Sequence, residues 1–190
     1  MYRSVGADLG KLPWATLAPR PQMVAWLDTL GAAEERPALV IGCGVGDDAE
    51  ELSRRGYRVT AFDISPTAIR WCRTRFPESS VDYQVADLLD VPAEWRRAFD
   101  VVVECATIQS IGLDRRHQVI DAIASTVGPN GLLFVLAALR PGGAPAVSRP
   151  WAVSRTDLAD FATAGLRELS YAPGHNPVTG RPLFVAVYTR

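Results

Sequence analysis

Lysine is almost absent from this 190-residue chain. Lys11 is the single lysine, and the other nineteen of the 20 basic residues are arginines. Any chemistry that needs a lysine amine must use Lys11, which precedes the first predicted strand. No Gly-Lys pair occurs, which excludes a phosphate-binding P-loop. No Tyr-x-x-x-Lys pair occurs either, which argues against a reductase that uses such a pair.

Charge of one sign and long apolar runs are also lacking. The net charge is −1 and no block of like charges stands out, so neither a nucleic-acid partner nor a basic membrane-binding patch is predicted. No run approaches the roughly 18 apolar residues of a membrane span. The segment from Met1 to Trp14 lacks the apolar core of a signal peptide. We therefore expect a cytoplasmic protein.

Cysteines are few, and their spacing matches no known framework. Cys43, Cys72 and Cys105 lie far apart without a Cys-x-x-Cys pair, which suggests neither a disulfide framework nor a zinc site. We expect buried, inert thiols. No Asp/Asp/Asn trio can be identified, so no metal site is predicted.

The pattern that is present is an alternation of short apolar runs with helical segments. Such alternation indicates a parallel sheet covered by helices. We predict an α/β fold: a Rossmann-like, seven-stranded, mostly parallel sheet with helices on both faces and an antiparallel C-terminal strand. The whole chain, 1–190, is predicted to be one domain, with a helical cover over 1–37 and a cofactor-binding core over 38–190. The predicted strands are 38–41, 57–63, 81–87, 99–106, 131–139, 166–172 and 182–189.

Local signals mark the ends of the predicted helices. A helix over 19–30 precedes the first strand. Ser65 and Pro66 are typical of an N-cap and a first helical residue. Gly128 to Gly131 is predicted to end a helix over 114–127, and Ser154 to Asp157 to form a capping box. The last two strands are joined by a predicted loop, 172–181.

A glycine cluster lies at the end of the first predicted strand, in the stretch VIGCGVGDD. Glycines there permit a tight turn and let a ligand approach the backbone beside a helix N-terminus. Asp63 ends the second strand about twenty residues later, where a carboxylate can accept hydrogen bonds from ribose hydroxyls. Both NAD and S-adenosylmethionine contain an adenosine, so Asp63 leaves the two open.

Three features favour S-adenosylmethionine. The dinucleotide fingerprint needs its third glycine one position later, where this chain has Asp47. Asp47 and Asp48 suit a cationic ligand end better than a pyrophosphate. Asp87 ends the third strand and can accept from an adenine amino group, with Leu88 against the ring. No second catalytic domain is predicted.

With these residues in view, the chain resembles the class I S-adenosylmethionine-dependent methyltransferases. The segments that carry the likeness are VIGCGVG, AFDIS, VADLLD, FDVVVECATIQSI and GPNGLLFVLAAL. A narrower likeness is to the thiopurine and tellurite-resistance methyltransferase branch. One departure is Val40, where many members have an acid. The cofactor-binding residues that the resemblance implies are Trp14, Gly42, Cys43, Gly44, Gly46, Asp48, Asp63, Ile64, Asp87, Leu88 and Glu104.

The acceptor pocket is expected above the carboxyl edge of the sheet. It would be built from the N-terminal cover, residues 104–110, the loop 140–153 and the loop 172–181. Glu104 and His175 are the candidate catalytic residues. The alternative for Glu104 is a structural hydrogen bond to a loop amide, and for His175 a solvated position. His117 is expected at the surface or as a cap.

Other side chains near the expected mouth of the pocket have two readings. Trp14 and Trp151 would either wall an aromatic acceptor or pack in the core. Arg140 and Arg149 would hold an anionic acceptor or be solvated. A base is needed only when the acceptor is a protonated group.

The resulting hypothesis is an S-adenosylmethionine-dependent methyltransferase that acts on a small molecule, as a monomer or homodimer. Two alternatives stay open. One is a Rossmann-type NAD-binding oxidoreductase. The other is a protein that binds S-adenosylmethionine without transferring its methyl group, since a fold does not fix the chemistry.

Overall fold

The structure, a computed structural model, describes residues 17–140, 142 and 149–190. Trp14 lies outside the described residues. The described helices are α1 (Pro21–Leu27), α2 (Asp47–Arg54), α3 (Pro66–Arg75), α4 (Arg116–Thr126), α5 (Arg155–Leu158) and α6 (Asp160–Thr163). The strands are β1 (Pro37–Ile41), β2 (Arg58–Asp63), β3 (Asp82–Val85), β4 (Phe99–Cys105), β5 (Val127–Ala138), β6 (Arg167–His175) and β7 (Pro182–Thr189).

The strands form a seven-stranded sheet in the order β3-β2-β1-β4-β5-β7-β6. β1–β2, β2–β3 and β4–β5 pair in parallel, whereas β7 runs antiparallel to both β5 and β6. The predicted fold, a Rossmann-like mostly parallel sheet with an antiparallel last strand, is confirmed. The chain divides into two compact units between Asp87 and Leu88, and the single-domain boundary of 1–190 stays a prediction.

In the first unit, sequence signals and structure agree closely. β1 is buried over Ala38–Ile41, as expected for a strand covered on both faces. α2 carries acids in its first turn and Arg54 in its last, which complements the helix dipole. Glu51 on its buried side accepts hydrogen bonds from Arg54 and Arg55. The Ser65 side chain accepts from Ala68 N at 3.3 Å and so caps α3 as predicted.

In the second unit, the segment Gly128 to Asn130 differs from its prediction. Helix α4 ends at Thr126, but β5 already begins at Val127, with a register shift opposite Phe99 and Val101. A Cβ on Gly131 would lie 2.8 Å from the Phe99 carbonyl oxygen. These glycines therefore allow close approach of two strands at a bulge instead of forming a free turn.

Two further predictions in this unit are corrected. The Ser154–Asp157 capping box is present, but the helix it opens is split into α5 and α6. The predicted loop 172–181 is shorter, because β6 continues to His175, which pairs with Pro182. Within the part of the chain that the structure describes, no helix has the length and apolarity to cross a membrane.

Candidate functional site

The turn between β1 and α2 is built on glycines in the left-handed region. Gly42, Gly44 and Gly46 have φ angles of 61°, 58° and 98°. Gly46 N donates to Cys43 O at 3.0 Å, and Gly46 is the N-cap of α2. A Cβ on Gly46 would lie 2.7 Å from the Tyr83 hydroxyl oxygen. The turn is therefore tight, and Gly46 packs so closely against Tyr83 that a larger side chain would not fit there.

Asp63 lies directly against this turn. Its Oδ2 accepts from Gly44 N at 3.1 Å and its Oδ1 accepts from Ser65 N at 2.8 Å. The residue is 6% exposed. An ionised carboxylate offers about four acceptor positions, and ribose hydroxyls are among the donors that it can accept from. The sequence located Asp63 at the strand end but did not predict that it holds the glycine turn.

The two acids that open α2 have different partners. Asp47 forms a bidentate ion pair with Arg75, at 2.8 and 2.9 Å, and its charge is therefore already compensated. The expectation that Asp47 favours a cationic ligand is corrected, because this carboxylate is turned to the end of α3. Asp48 Oδ1 accepts from Arg20 N at 2.8 Å, which ties α2 to the segment before α1.

Cys43 and Cys72 lie behind the turn. Cys72 Sγ donates to Gly44 O at 3.4 Å. A hydrogen bond with Cys72, together with burial, raises the pKa of the Cys43 thiol. Both thiols are buried, while Cys105 is half-buried. Buried thiols pack as small apolar groups, which agrees with the inert role expected from their spacing.

The side chains expected near an adenine ring differ in accessibility. Ile64 is 67% exposed and follows Asp63 directly. Asp87 is exposed. Leu88 is 4% exposed and begins a 3-10 helix, Leu88–Asp90, in the second unit. Ile64 therefore offers far more apolar surface to a ligand than Leu88 does.

In the second unit, Glu104 near the end of β4 is fully buried. Its Oε1 accepts from Thr107 N at 2.5 Å and from Ile108 N at 2.9 Å. These are the loop-amide bonds considered as the structural alternative. Ala106 lies in the chain between Glu104 and Thr107 and has a φ of 68°. Such a conformation is uncommon outside glycine and clusters at functional sites. Glu104 thus organises the loop that follows β4.

Arg116 is a residue of this region that the sequence reading missed. It is 5% exposed, and burial lowers the pKa of its guanidinium. It donates to Ile108 O and, at 2.7 Å, to Trp151 O. Its position at the first residue of α4 is the feature that could have identified it. A cation is unfavourable at a helix N-terminus, so an arginine there indicates that other contacts hold it.

The segment around Trp151 is held by several backbone bonds. Trp151 N donates to Gln109 O at 2.7 Å, and Arg140 N donates to Val153 O at 2.8 Å. Arg140 also forms an ion pair with Asp157 at 3.2 Å. Trp151 is half-buried and its backbone is tied to the loop after β4. This position is compatible both with packing in the core and with lining an acceptor pocket. Arg149 is exposed.

The two histidines lie at the surface. His175 is exposed at the end of β6, and the short loop of the hairpin follows it. His117 is 82% exposed, with Nδ1 2.8 Å from Asp160 Oδ2, which agrees with the expected surface position. Among residues 17–140, 142 and 149–190 there is no group of three His, Cys, Asp or Glu arranged to hold a metal ion.

Comparison with known proteins adds to this geometry. A family model described as "Methyltransferase domain" matches residues 39–135, just over half of the chain. The Ubiquinone biosynthesis O-methyltransferase of Xanthomonas campestris pv. campestris (strain B100) is 35% identical over 99 residues, which cover 51% of this chain and 41% of that protein. The chain thus spans about two fifths of the length of that curated relative.

Solved structures share the fold over nearly the whole chain. One, described as "Conversion of a Disulfide Bond into a Thioacetal Group during Echinomycin Biosynthesis", is 25% identical with a TM-score of 0.73, over 94% of this chain and 85% of that one. Burkholderia thailandensis 1,6-didemethyltoxoflavin-N1-methyltransferase, solved with S-adenosylhomocysteine, is 17% identical with a TM-score of 0.74, over 90% and 77%. A TehB-like methyltransferase from Corynebacterium glutamicum is 20% identical with a TM-score of 0.67, over 89% and 85%.

Proposed function

We propose a function for this chain from the family to which it belongs, the methyltransferase-domain family, whose model matches residues 39–135. S-adenosylmethionine is the cofactor of this family. The proposed function is transfer of a methyl group from S-adenosylmethionine to a small-molecule acceptor. Membership of this family also favours methyl transfer over the alternative of an NAD-dependent oxidoreductase.

The observation that carries this proposal is the pairing of Asp63 with the glycine turn. The buried carboxylate sits 3.1 Å from Gly44 N, so a ligand that lies over the turn meets an acceptor for its ribose hydroxyls. The turn has no side chain at Gly42, Gly44 or Gly46 to block it. Exposed Ile64 supplies an apolar surface for the adenine ring. The glycine turn, Asp63 and Ile64 therefore fit a ligand that contains an adenosine.

The residues of this chain serve mainly to align the reactants. When bound, S-adenosylmethionine supplies a methyl group that its sulfonium already activates. Alignment and exclusion of water are then the main tasks of the protein. We propose that Asp63 and the turn fix the adenosine and that Asp48 lies towards the methionine end. Trp14, Cys43, Asp87 and Leu88 complete the proposed cofactor contacts.

Glu104 and His175 are the proposed catalytic residues. Glu104 accepts hydrogen bonds from the Thr107 and Ile108 amides, and through them it sets the shape of the loop that follows β4. His175, exposed at the hairpin, is the candidate base for an acceptor that must lose a proton. Thiolate acceptors would not need His175, so its importance depends on the acceptor.

The proposal of a small-molecule acceptor is supported by charge and by similarity. The net charge of −1 and the absence of a basic run do not favour a nucleic-acid substrate. The curated relative acts in ubiquinone biosynthesis by its name. Membership of the thiopurine and tellurite-resistance branch, a monomeric or homodimeric state and a cytoplasmic location are further proposals.

Calorimetry with S-adenosylhomocysteine and NAD tests cofactor choice. We expect roughly micromolar binding of S-adenosylhomocysteine and none of NAD. Asp63→Ala should weaken binding by about 2 kcal/mol or more, close to thirtyfold, because charge-assisted hydrogen bonds are lost. Asp82→Ala, at an exposed acid in the same unit, is the matched control and should bind as wild type. Binding of NAD, or an unaffected Asp63→Ala, would refute the assignment.

Turnover distinguishes an enzyme from a protein that only binds the cofactor. Conversion of S-adenosylmethionine to S-adenosylhomocysteine is followed with a panel of small thiols, phenols, amines and carboxylic acids. Acceptor-dependent conversion supports methyl transfer. Tight binding without conversion across the whole panel would favour the non-transferring alternative.

A further inference from the structure

Three buried N–H groups in the second unit have no acceptor among the described residues. They are Arg116 Nε, Arg140 Nε and Trp151 Nε1. We name these three side chains the donor cluster. We infer that the donor cluster binds an oxyanion, such as a carboxylate or phenolate, of the methyl acceptor. This inference rests on the proposed function and assigns a substrate class to it.

Backbone contacts bring the donor cluster together. Arg116 donates to the Trp151 carbonyl oxygen at 2.7 Å, and Trp151 N donates to Gln109 O at 2.7 Å. Arg140 N donates to Val153 O at 2.8 Å, two residues further along the same segment. These bonds tie together the segments that carry Arg116, Arg140 and Trp151.

The position of the donor cluster suits a substrate site. Gln109 lies in the loop after β4, and Arg140 follows β5. β4 and β5 are parallel neighbours, so both segments emerge at the same carboxyl edge. Ligands of open α/β sheets bind beyond that edge. The donor cluster is thus placed where an acceptor molecule would be expected.

Unsatisfied donors need an explanation, because burying one without a partner is costly and rare in native proteins. Asp157, one of the nearby carboxylates, is already engaged. Asp157 Oδ2 accepts from Ser154 N at 2.9 Å and lies 3.2 Å from Arg140 Nη2. Glu104 Oε1 accepts two loop amides. A ligand oxygen would satisfy donors that the described residues do not.

The donor types define the class of ligand. Arginine and indole N–H groups donate and cannot accept, so an ammonium group, which also only donates, finds no partner in the donor cluster. Arg116 is 5% exposed, and burial lowers the pKa of its guanidinium because the cation is poorly solvated there. A negatively charged oxygen would relieve that cost. The cluster therefore favours an oxyanion over a neutral or cationic group.

Side-chain N–H resonances in ¹⁵N-edited NMR spectra test the inference directly. The probe is benzoate, titrated into the protein saturated with S-adenosylhomocysteine, with benzylamine as the probe of opposite charge. We expect benzoate to shift the Trp151 Nε1–H and arginine Nε–H resonances in a saturable manner, and benzylamine to leave them in place. Unmoved resonances with benzoate, or equal shifts with both probes, would overturn the inference.

Two variants give an independent measurement. Trp151→Phe removes one N–H and keeps a ring, so the benzoate affinity should fall about five- to tenfold. Trp71→Phe, at a tryptophan on α3 in the first unit, is the matched control and should bind benzoate as wild type. If Trp151→Phe binds benzoate normally, the inference is wrong. If Trp151→Phe does not fold, the wild-type titration decides alone.

The two proposals fail in different ways. If wild type does not bind S-adenosylhomocysteine, the proposed function fails, whatever benzoate does. If S-adenosylhomocysteine binds and the donor cluster does not respond to benzoate, only the inference about the acceptor fails. Retained S-adenosylhomocysteine affinity in Trp151→Phe, with reduced benzoate affinity, would support both.

Discussion

Gly46→Ala should destabilise the protein by two separate effects at the glycine turn. The residue has a φ of 98° and a ψ of −9°, and a left-handed conformation costs an L-residue with a Cβ roughly 1–2 kcal/mol. The new Cβ would also lie 2.7 Å from the Tyr83 hydroxyl oxygen and 3.1 Å from Phe76 Cε2. Overpacking of this kind costs about 1–3 kcal/mol. The expected loss is therefore about 2–5 kcal/mol.

Alanine variants of two other glycines separate the backbone effect from the steric effect. Gly180 has a φ of 66° but no atom within 4 Å of a Cβ built on it, and Gly31 has neither positive φ nor a neighbour within 4 Å. Urea unfolding should rank the alanine variants Gly31, Gly180 and Gly46 in order of increasing destabilisation. In thermal unfolding the Gly46 variant should lose roughly 4–20 °C in Tm.

Tyr83→Phe tests the steric part. In the wild type the Tyr83 hydroxyl donates to Glu50 Oε1 at 2.7 Å, so Tyr83→Phe alone should be destabilising. It also removes the atom nearest to the added Cβ, so Gly46→Ala should cost less in the Tyr83→Phe background, as a double-mutant cycle would measure. If Gly46→Ala costs no more than Gly180→Ala, crowding at this turn is refuted.

Three more outcomes are expected. The hydrogen bond from Arg54 lowers the pKa of Glu51. The stabilisation that ionised Glu51 gives the folded state is therefore present above the unfolded-state pKa of about 4.3 and is lost as pH falls through the lower folded pKa. Urea midpoints of Glu51→Gln and wild type should differ at neutral pH and converge in acid. Ser154→Ala removes a capping box and should lower the free energy of unfolding by about 1 kcal/mol. A thiol reagent should modify half-buried Cys105 first and Cys43 only on unfolding, as mass spectrometry of digests would show.

Local patterns predicted the parts of the molecule that depend on neighbours in sequence. The alternation of strands and helices, the Ser65 cap and the capping box at Ser154 are set by residues within a few positions of one another. The placement of Asp63 at the end of β2, beside the turn that follows β1, was expected from the parallel sheet, because carboxyl ends of adjacent parallel strands lie together. These features were therefore accessible without a structure.

Features that depend on long-range side-chain contacts were not predictable in this way. Arg75 is one of nineteen arginines, and nothing near it in sequence shows that it pairs with Asp47, 28 positions away. Arg116 likewise joins two loops that only the fold brings together. His175 was predicted to lie in the loop 172–181, yet Pro173, Gly174 and His175 all pair with β7 on an edge strand, where proline is tolerated.

The hydrogen bonds that Arg75 donates bear on how cofactor affinity can change during evolution. Its guanidinium joins the last turn of α3 to Asp47 and to the Val45 carbonyl oxygen within the glycine turn. Substitutions on α3 that move this side chain would alter the stiffness of the turn. Cofactor affinity could then be tuned from a helix that supplies none of the proposed cofactor contacts.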